Sequence, residues 1–206
     1  NITESTKTAA EQQQKADKKS TEAVGERESI AKDQQTLVDD QAKNADAPAV
    51  YGLRLVNESK QLSALVKINT QTGTVIDESP VTVIRNRSVY ASGSNFAAIA
   101  GENTGNGAVK LVLLDSGKME IIAESQETVA ENSVLVQDSS YLFCIISEGK
   151  KFYAAKYDKE LHLLAKSAEA VKSSSPITVS ENQICVTNVK GKIMLLSKND
   201  LSQVEK

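Results

Sequence analysis

The chain has very little histidine and cysteine, the side chains that zinc and thiol chemistry need. Its 206 residues include one histidine, two cysteines and no tryptophan. Zinc sites and thioredoxin-like motifs need cysteines or histidines at short spacing, whereas Cys144 and Cys185 stand apart in two apolar runs. This argues against both kinds of chemistry. We expect two buried free thiols, with a disulfide or a reactive thiol as the alternatives.

Charge and hydropathy give no sign of nucleic-acid or membrane binding. The formal net charge is -3, which provides no positive field to attract phosphate groups. No apolar run approaches the roughly 18 residues that a membrane span needs. The first residue is not methionine and no signal-peptide pattern follows it, so we interpret the sequence as a fragment of a longer chain.

The composition changes sharply at Ala47 and Pro48. Ala, Gln, Lys, Glu, Asp and Thr dominate before this point, whereas Val, Ile, Leu, Ser and Tyr dominate after it. All three phenylalanines and all five tyrosines lie in the second part. A helix rarely continues through the residue before a proline. The sequence therefore predicts a helical stalk over residues 1–47 and a β domain over residues 48–206.

The first part carries a weak seven-residue repeat, which predicts a helix with a narrow apolar stripe. Apolar residues recur every seven positions, at Ile2, Ala9, Ala16, Ala23, Ile30 and Leu37. The second apolar position of a coiled-coil repeat is polar in every case, at Ser5, Gln12, Lys19, Glu26, Asp33 and Asp40. Gly25 also costs helix stability, by about 1 kcal/mol relative to alanine. A solvated helix and the end of a loose coiled coil both remain open, and either would serve as a stalk or spacer.

The second part repeats a pattern of short apolar runs separated by polar turns. The stretches "SVYASGSNFAAIAG", "SVLVQDSSYLFCII" and "PITVSENQICVTNV" begin at residues 88, 133 and 176, and an incomplete copy precedes them. Four strands per unit at a period near 43 to 45 residues is typical of β-propeller blades. We predict a mainly β fold of about four antiparallel four-stranded units, the first lacking its innermost strand. A closed ring, an open partial propeller and closure through another chain remain alternatives.

Four short polar side chains occupy similar places in these repeats, each after a predicted strand. They are Asn69, Asp115, Asp158 and Asn199. Asp and Asn accept hydrogen bonds from their own backbone in tight turns, and recurrence at four turns favours that role. A calcium loop needs carboxylates at alternating positions, as in DxDxDG, and the sequence contains none. We therefore predict turns, not ligands.

The remaining candidate sites also favour structural interpretations. His162 alternates with two leucines and should point outward, without a second metal ligand nearby. "GENTGNG" at 101–107 lies between two strands with no helix behind it, so we predict a hairpin loop instead of a phosphate-binding loop. No GxSxG motif occurs. We predict no catalytic residue, cofactor or metal.

Two further patterns carry no predicted site. Asn1, Asn57 and Asn86 begin N-x-S/T sequences, which matter only in a secretory pathway that glycosylates proteins. "AEAVKSSSP" at 168–176 is interpreted as an exposed, flexible link into the last repeat.

The chain resembles a known family in "VYGLRLV" at 50–56, "KINTQTGTVIDES" at 67–79 and "KIMLLSKNDLSQVEK" at 192–206. Together with the helical segment, these stretches resemble the C-terminal part of the spirochaete high-molecular-mass antigen, the eighty-three/one-hundred kilodalton family, and within it a treponemal relative. That family carries a longer charged helical stretch than this chain does. The resemblance implies a periplasmic or cell-envelope location and antigenicity, and it transfers no catalytic residues.

Three functions follow as hypotheses. The first is a non-enzymatic interaction module, in which β repeats on a helical stalk bind a protein or envelope partner. The second is a structural spacer or oligomerisation protein. The third is an enzyme with a site in a propeller channel near Tyr90, Gln137 and Ser180, which is disfavoured because these side chains include neither a strong base nor a metal set.

Overall fold

The computed structural model describes the backbone of residues 2–45, 47–105 and 107–204, and the side chains of residues 12–36, 47–105 and 107–204. The chain divides into two compact units. One contains the helix with Pro48 and Asn69–Gln71, and the other contains Ala49–Ile68 and the chain from Thr72 onward.

The first unit is built on one helix, α1 (Ile2–Ala45), which confirms the predicted helical segment. Every described side chain from 12 to 36 is exposed, including Val24 and Ile30 on the apolar stripe. The heptad side chains of Ile2, Ala9 and Leu37 lie outside the described residues.

The described part of the second unit contains fifteen strands, which confirms the prediction of a mainly β fold. In chain order they are β1 (Ala49–Asn57), β2 (Leu62–Asn69), β3 (Val75–Glu78), β4 (Tyr90–Ser92), β5 (Asn95–Ala100), β6 (Lys110–Asp115), β7 (Ile121–Glu124), β8 (Thr128–Val129), β9 (Val136–Asp138), β10 (Tyr141–Glu148), β11 (Lys151–Tyr157), β12 (Leu163–Lys166), β13 (Thr178–Val179), β14 (Gln183–Thr187) and β15 (Ile193–Ser197).

The strands form four sheets, numbered here in chain order. The first is β1-β2-β3 and the second is β4-β5-β6-β7. The third is β12-β11-β10-β8, with β9 also paired to β10, and the fourth is β13-β14-β15. The sheets therefore contain three, four, five and three strands, so the strand number differs from one sheet to the next. Among the described residues, no strand pairing joins the first sheet to the fourth.

Successive sheets pack face to face through three apolar cores. The first core joins the first and second sheets through Leu65 and Leu114, and the second joins the second and third sheets through Leu111 and Cys144. The third core joins the third and fourth sheets, with Phe143 at its centre. Alternation along each central strand sends neighbouring side chains to opposite faces, so β10 supplies residues to two cores at once.

Buried serines outside the strands bond to the backbone of central strands in the second, third and fourth sheets. Ser125 Oγ accepts the Leu111 N–H and donates to the Glu127 carbonyl. Ser167 Oγ makes the same pair of bonds with the Ala154 N–H and the Glu169 carbonyl. Ser133 Oγ accepts the Ile145 N–H, and Ser175 Oγ accepts the Thr187 N–H in the same way. The burial of these serines could not be predicted, because a serine in a polar segment gives no burial signal of its own.

The prediction that 168–176 is an exposed, flexible link is wrong. Val171 and Ser175 are buried, and the Val171 N–H donates to the Phe152 carbonyl at 2.9 Å. Val171 belongs to the third core. The segment is held because the Val171 side chain fills space between two sheets. The Ser-rich sequence around it gives no sign of this burial.

Candidate functional site

Asp115 organises the turn between β6 and β7. Its Oδ2 accepts the N–H groups of Gly117 at 2.9 Å and Lys118 at 2.8 Å, and its Oδ1 accepts the Glu120 N–H at 2.9 Å. The N–H groups of Lys118 and Glu120 lower the pKa of this carboxyl, because they stabilise its charged form. The predicted turn role is confirmed, and the carboxylate oxygens face the backbone of their own loop.

We expect Asp115→Asn to lower the melting temperature at pH 7, because one oxygen can no longer accept the bonds from Gly117 and Lys118. A carboxyl whose pKa is lowered by folding contributes stability above its unfolded pKa and loses it as pH falls through the folded value. The difference between wild type and variant should therefore shrink below about pH 3.8, the ordinary pKa of the group. Thermal melts from pH 7 to pH 2 measure this.

Glu120→Gln is the matched control, since it removes an exposed carboxylate and leaves the turn oxygens in place. If the melting temperatures of Asp115→Asn and wild type differed by the same amount down to pH 2, the charge of the Asp115 carboxylate would not stabilise the turn.

Asp158 has the same role after β11. Its Oδ1 accepts the N–H groups of Glu160 and His162, and its Oδ2 lies 3.0 Å from His162 Nδ1. Partial burial acts to raise the pKa of Asp158, but the hydrogen bonds from His162 outweigh it and the pKa is lowered. The His162 side chain is 74% exposed, which agrees with the outward orientation expected. This pair closes a surface turn.

Asn69 joins this group, because its Oδ1 accepts the Gln71 N–H at 2.9 Å. Asn199 does not, and the equivalence proposed for it is wrong. Ser197 takes that place: its N–H donates to the Ser202 carbonyl, as the Asp115 N–H donates to Glu120. The mistake arose because β15 ends two residues before Asn199, and strand ends are poorly marked in sequence.

Tyr90, Gln137 and Ser180, the residues considered for a channel site, each donate a hydrogen bond to a backbone carbonyl. The Tyr90 hydroxyl donates to the Leu135 carbonyl at 2.9 Å, and Gln137 Nε2 donates to the Ala91 carbonyl at 2.9 Å. Both bonds connect the second sheet with the third. Ser180 Oγ donates to the Gln183 carbonyl within its own hairpin. In the described residues, no three His, Cys, Asp or Glu side chains are placed to hold a metal ion.

The two cysteines are free thiols in different environments. Cys144 is completely buried in the second core, and burial raises the pKa of its thiol. Cys185 lies on β14 and is partly exposed. The prediction of free thiols is confirmed for both, whereas full burial holds only for Cys144.

Asn57 and Asn86, which begin N-x-S/T sequences, have side chains engaged within the protein. Asn57 Oδ1 accepts the Lys60 N–H at 2.9 Å, and Asn86 Nδ2 donates to the Ser133 carbonyl. The Asn57 side chain therefore holds a local turn, whereas the Asn86 side chain links its turn to the segment before β9. Asn1 lies outside the described residues.

Lys156 is a buried cation that the sequence analysis missed. Its side chain follows β11, its Nζ donates to the Asn199 carbonyl at 3.1 Å, and the ammonium lies 4.1 Å from the centre of the Tyr141 ring. Burial lowers the pKa of Lys156, and the nearby Lys198 lowers it further. Lys198 is itself paired with Asp138 at 2.8 Å. Carbonyl, aromatic and carboxylate groups thus hold both lysines in place.

The loop at 101–107 is the predicted hairpin connection between β5 and β6, in its described residues. Asn103 adopts a positive φ of 56°, its N–H donates to the Gly107 carbonyl, and its Oδ1 accepts the Val109 N–H at 3.0 Å. Asn106 lies outside the described residues. The loop holds the Asn103 side chain in a single orientation over the next strands.

A cavity of about 330 Å³ opens beside this loop. Loops and strand ends of the second and third sheets and the segment before β13 contribute to it. Its walls are formed by Asn103, Thr128, Val129, Ala130, Glu131, Asn132, Ser147, Phe152 and Ser173. Most of these side chains are polar and Phe152 is the one ring among them, so the cavity suits a ligand with many hydrogen-bonding groups.

The charge in the cavity is balanced. Glu131 Oε1 accepts a hydrogen bond from Asn103 Nδ2 at 2.7 Å, and its Oε2 lies 3.5 Å from Arg85 Nη2. Arg85 also donates to the carbonyls of Glu131 and Gly101. The network fixes the cavity walls before any ligand arrives. Glu131 is the charged side chain among the lining residues, and Arg85, from outside that set, offsets its carboxylate, so amide and hydroxyl groups are the main polar groups that the cavity offers.

Comparison with known proteins gives one family match. A family model described as Borrelia P83/100 protein matches residues 2–178. No curated protein matches the chain. In the part of the chain that the structure describes, no helix is long and apolar enough to cross a membrane.

Two solved structures are similar to the chain at low identity. The computationally designed Ika4 protein has a TM-score of 0.45 and 10% identity, covering 74% of this chain and 92% of Ika4. BamB from Moraxella catarrhalis has a TM-score of 0.41 and 12% identity, covering 79% of this chain and 65% of BamB.

Proposed function

The chain belongs to the Borrelia P83/100 protein family, and from this we propose that it is a non-enzymatic antigen of the periplasm or cell envelope, with a β domain that binds a partner protein. The family match supports the antigen assignment. We further assign the chain to the C-terminal part of a treponemal relative, on the resemblance of its sequence stretches.

The architecture we propose is a propeller-like domain of four blades over residues 48–206, carried on a stalk over residues 1–47. Four sheets packed face to face in chain order support the blades. The exposed stripe of α1 supports a stalk that can pair with another helix as a loose coiled coil.

The observation that carries the binding role is the preorganised cavity beside Glu131. Binding residues are commonly held on loops by a rigid β scaffold, and here three separate chain segments bring their loops together. A neutral cavity lined by amide and hydroxyl groups is suited to the backbone and uncharged side chains of a polypeptide. We propose that the partner inserts an uncharged polar segment there.

The test is capture from a spirochaete envelope extract with the immobilised full chain, followed by identification of retained proteins by mass spectrometry. Ser173→Tyr fills the cavity and should reduce the retained partner by about tenfold or more, since a lost interface contact of 1.4 kcal/mol or more has that effect. Ser94→Tyr places the same ring on the exposed turn between β4 and β5 and should leave retention unchanged.

A partner retained equally by wild type and Ser173→Tyr would show that the cavity is not the binding site. Recovery of only background proteins by wild type would remove the binding role itself. The remaining candidate would then be the structural one, a spacer or oligomerisation protein, which the exposed Val24 and Ile30 on α1 favour.

A further inference from the structure

The fourth sheet has one covered and one uncovered face. Side chains of β14 and β15 alternate, so that Ile184, Val186, Met194 and Leu196 enter the third core. Their neighbours point the opposite way, and Ile193 and Leu195 are 72% and 45% exposed. In the strand register Cys185 pairs with Leu195, and Thr187 pairs with Ile193. We call this surface of Cys185, Thr187, Ile193 and Leu195 the terminal face.

The same face is buried in the preceding sheets. In the second sheet, the face directed at the next sheet in chain order carries Ala97 and Leu111, which pack on the third sheet. In the third sheet, the corresponding face carries Phe143 and Ile145, which pack on the fourth sheet. The terminal face therefore continues this series of faces, with Ile193 and Leu195 as its exposed apolar side chains and the polar Thr178, Gln183 and Ser197 around them. No sheet from the described part of the chain covers it. Exposed apolar side chains grouped on one surface are typical of an interface.

The two ends of the terminal face carry opposite charge. The turn between β14 and β15 exposes Lys190 and Lys192. The opposite end exposes Glu181. Two other charged residues at that end are already engaged, because Asp200 accepts hydrogen bonds from Ser202 and Lys198 is paired with Asp138 of the third sheet. A two-fold axis across the strands would place the lysine end of one copy over the carboxylate end of another. The face is thus complementary to itself, as a two-fold interface requires.

We propose that the terminal face is a homodimer interface, in which the fourth sheets of two copies pack face to face with their strands antiparallel. Leu195 and Cys185 lie at the centre, and the two sets of charges lie at the ends. This inference is independent of the cavity beside Glu131 and of the partner proposed for it.

The size of the face sets the expected affinity. Five-residue strands span about 17 Å and three paired strands about 14 Å, so the face covers about 240 Å², well below the roughly 800 Å² per partner of a standard interface. We therefore expect a reversible dimer with a Kd of about 10 μM or weaker.

Sedimentation velocity of the full chain from about 5 to 500 μM tests the proposal. Wild type should shift from monomer to dimer across this range. Leu195→Lys places a charge at the centre of the face and should raise the dimer Kd by at least about thirtyfold, as expected for an interface hot spot. Ile122→Lys, at a 55% exposed position on β7, is the matched control and should dimerise as wild type does.

Three outcomes would overturn the proposal. The first is a wild type that stays monomeric throughout. The second is a dimer that survives Leu195→Lys but is lost in Val24→Glu/Ile30→Glu, which would place the contact on α1. The third is an oligomer that Val56→Lys abolishes as completely as Leu195→Lys does. Val56 is exposed on β1, so this result would indicate that the fourth sheet packs on the first sheet of another copy.

Charge reversal tests the orientation of the two copies. Lys192→Glu brings like charges together across the two-fold axis and should raise the Kd by about threefold to tenfold. Lys192→Glu/Glu181→Lys restores opposite charges and should recover most of the loss. A double variant that binds more weakly than Lys192→Glu would exclude the antiparallel arrangement.

Thiol reactivity gives a second readout on the unmodified chain. Packed sheets lie about 10 Å apart, too far for a direct disulfide between two Cys185 residues, so the dimer should protect this thiol without crosslinking it. The rate of maleimide labelling at Cys185 should fall by about fivefold or more between dilute and dimeric protein, because the dimer encloses the thiol. Buried Cys144 should stay unlabelled at both concentrations. A Cys185 rate that does not change with concentration would contradict the proposed interface.

Discussion

Replacing Gly101 with alanine is expected to destabilise the protein by about 3 kcal/mol or more, through strain in the backbone and a steric clash. Gly101 has a φ of +120°, which side-chain-bearing residues rarely adopt. An added Cβ would lie 2.8 Å from the Ala108 carbonyl carbon and 2.9 Å from Val109 Cα, and closer still to the Ala108 oxygen. These are backbone atoms, so the clash cannot be relieved by rotating a side chain.

Gly105→Ala provides a matched control in the same loop. Gly105 has no such positive φ, and a Cβ added there would meet nothing within 4 Å. We expect its effect to stay within about 0.5 kcal/mol, as for ordinary surface substitutions. Urea denaturation at pH 7 measures both. Equal stability of the two variants would show that the loop can rearrange around Gly101.

The Gly101 variant also has a functional consequence. The Gly101 carbonyl accepts a hydrogen bond from Arg85, and the loop that begins here places Asn103 beside Glu131. Movement of the loop would separate these groups and change the cavity wall. Binding of the proposed partner should therefore weaken in Gly101→Ala even in solution conditions where the β domain remains folded.

Truncating Phe143 to alanine is expected to lower the free energy of unfolding by about 3 to 5 kcal/mol, the usual cost of removing a buried phenylalanine ring. Phe143 is completely buried at the centre of the third core. It lies on β10, which pairs with β11 and also with β8 and β9. The cavity left behind would open the contact between the third and fourth sheets. Urea unfolding followed by circular dichroism measures the loss.

Two comparison variants sharpen this test. Phe143→Leu keeps most of the apolar volume and should cost about 1 to 2 kcal/mol, because the core can partly close around it. Ile122→Ala removes a similar apolar group from an exposed position and should cost less than about 0.5 kcal/mol. If Phe143→Ala were no more destabilising than Ile122→Ala, the third core would not contribute to stability as described.

The helix, the β-rich part and two of the turns could be predicted from local sequence, because each depends on interactions between residues that are close in the chain. Apolar spacing of seven residues and the composition change before Pro48 were enough to separate a helix from a β-rich part. The role of Asp115 was predictable because a carboxylate at the start of a turn finds its hydrogen-bond donors within five residues. The cluster of Gly and Asn at 101–107 likewise marked a loop.

The candidate site could not be predicted in the same way. Glu131 meets Arg85 and Asn103 across 46 and 28 positions of sequence, and no local pattern reports such a meeting. Val171 looked like part of a solvated link, yet its partner is Phe152, on the neighbouring sheet. Residue type marks Asn199 as a turn residue, whereas no sequence signal marks Ser197 as the end of β15.

By itself the sequence determined where this protein changes from helix to β strands and where several of its turns lie, since those choices depend on interactions between residues a few positions apart. Only the tertiary structure decided which faces of the sheets are covered. Each core requires side chains from two sheets, so burial depends on contacts that the chain makes over long separations. The cavity beside Glu131 and the terminal face of the fourth sheet are both products of that packing.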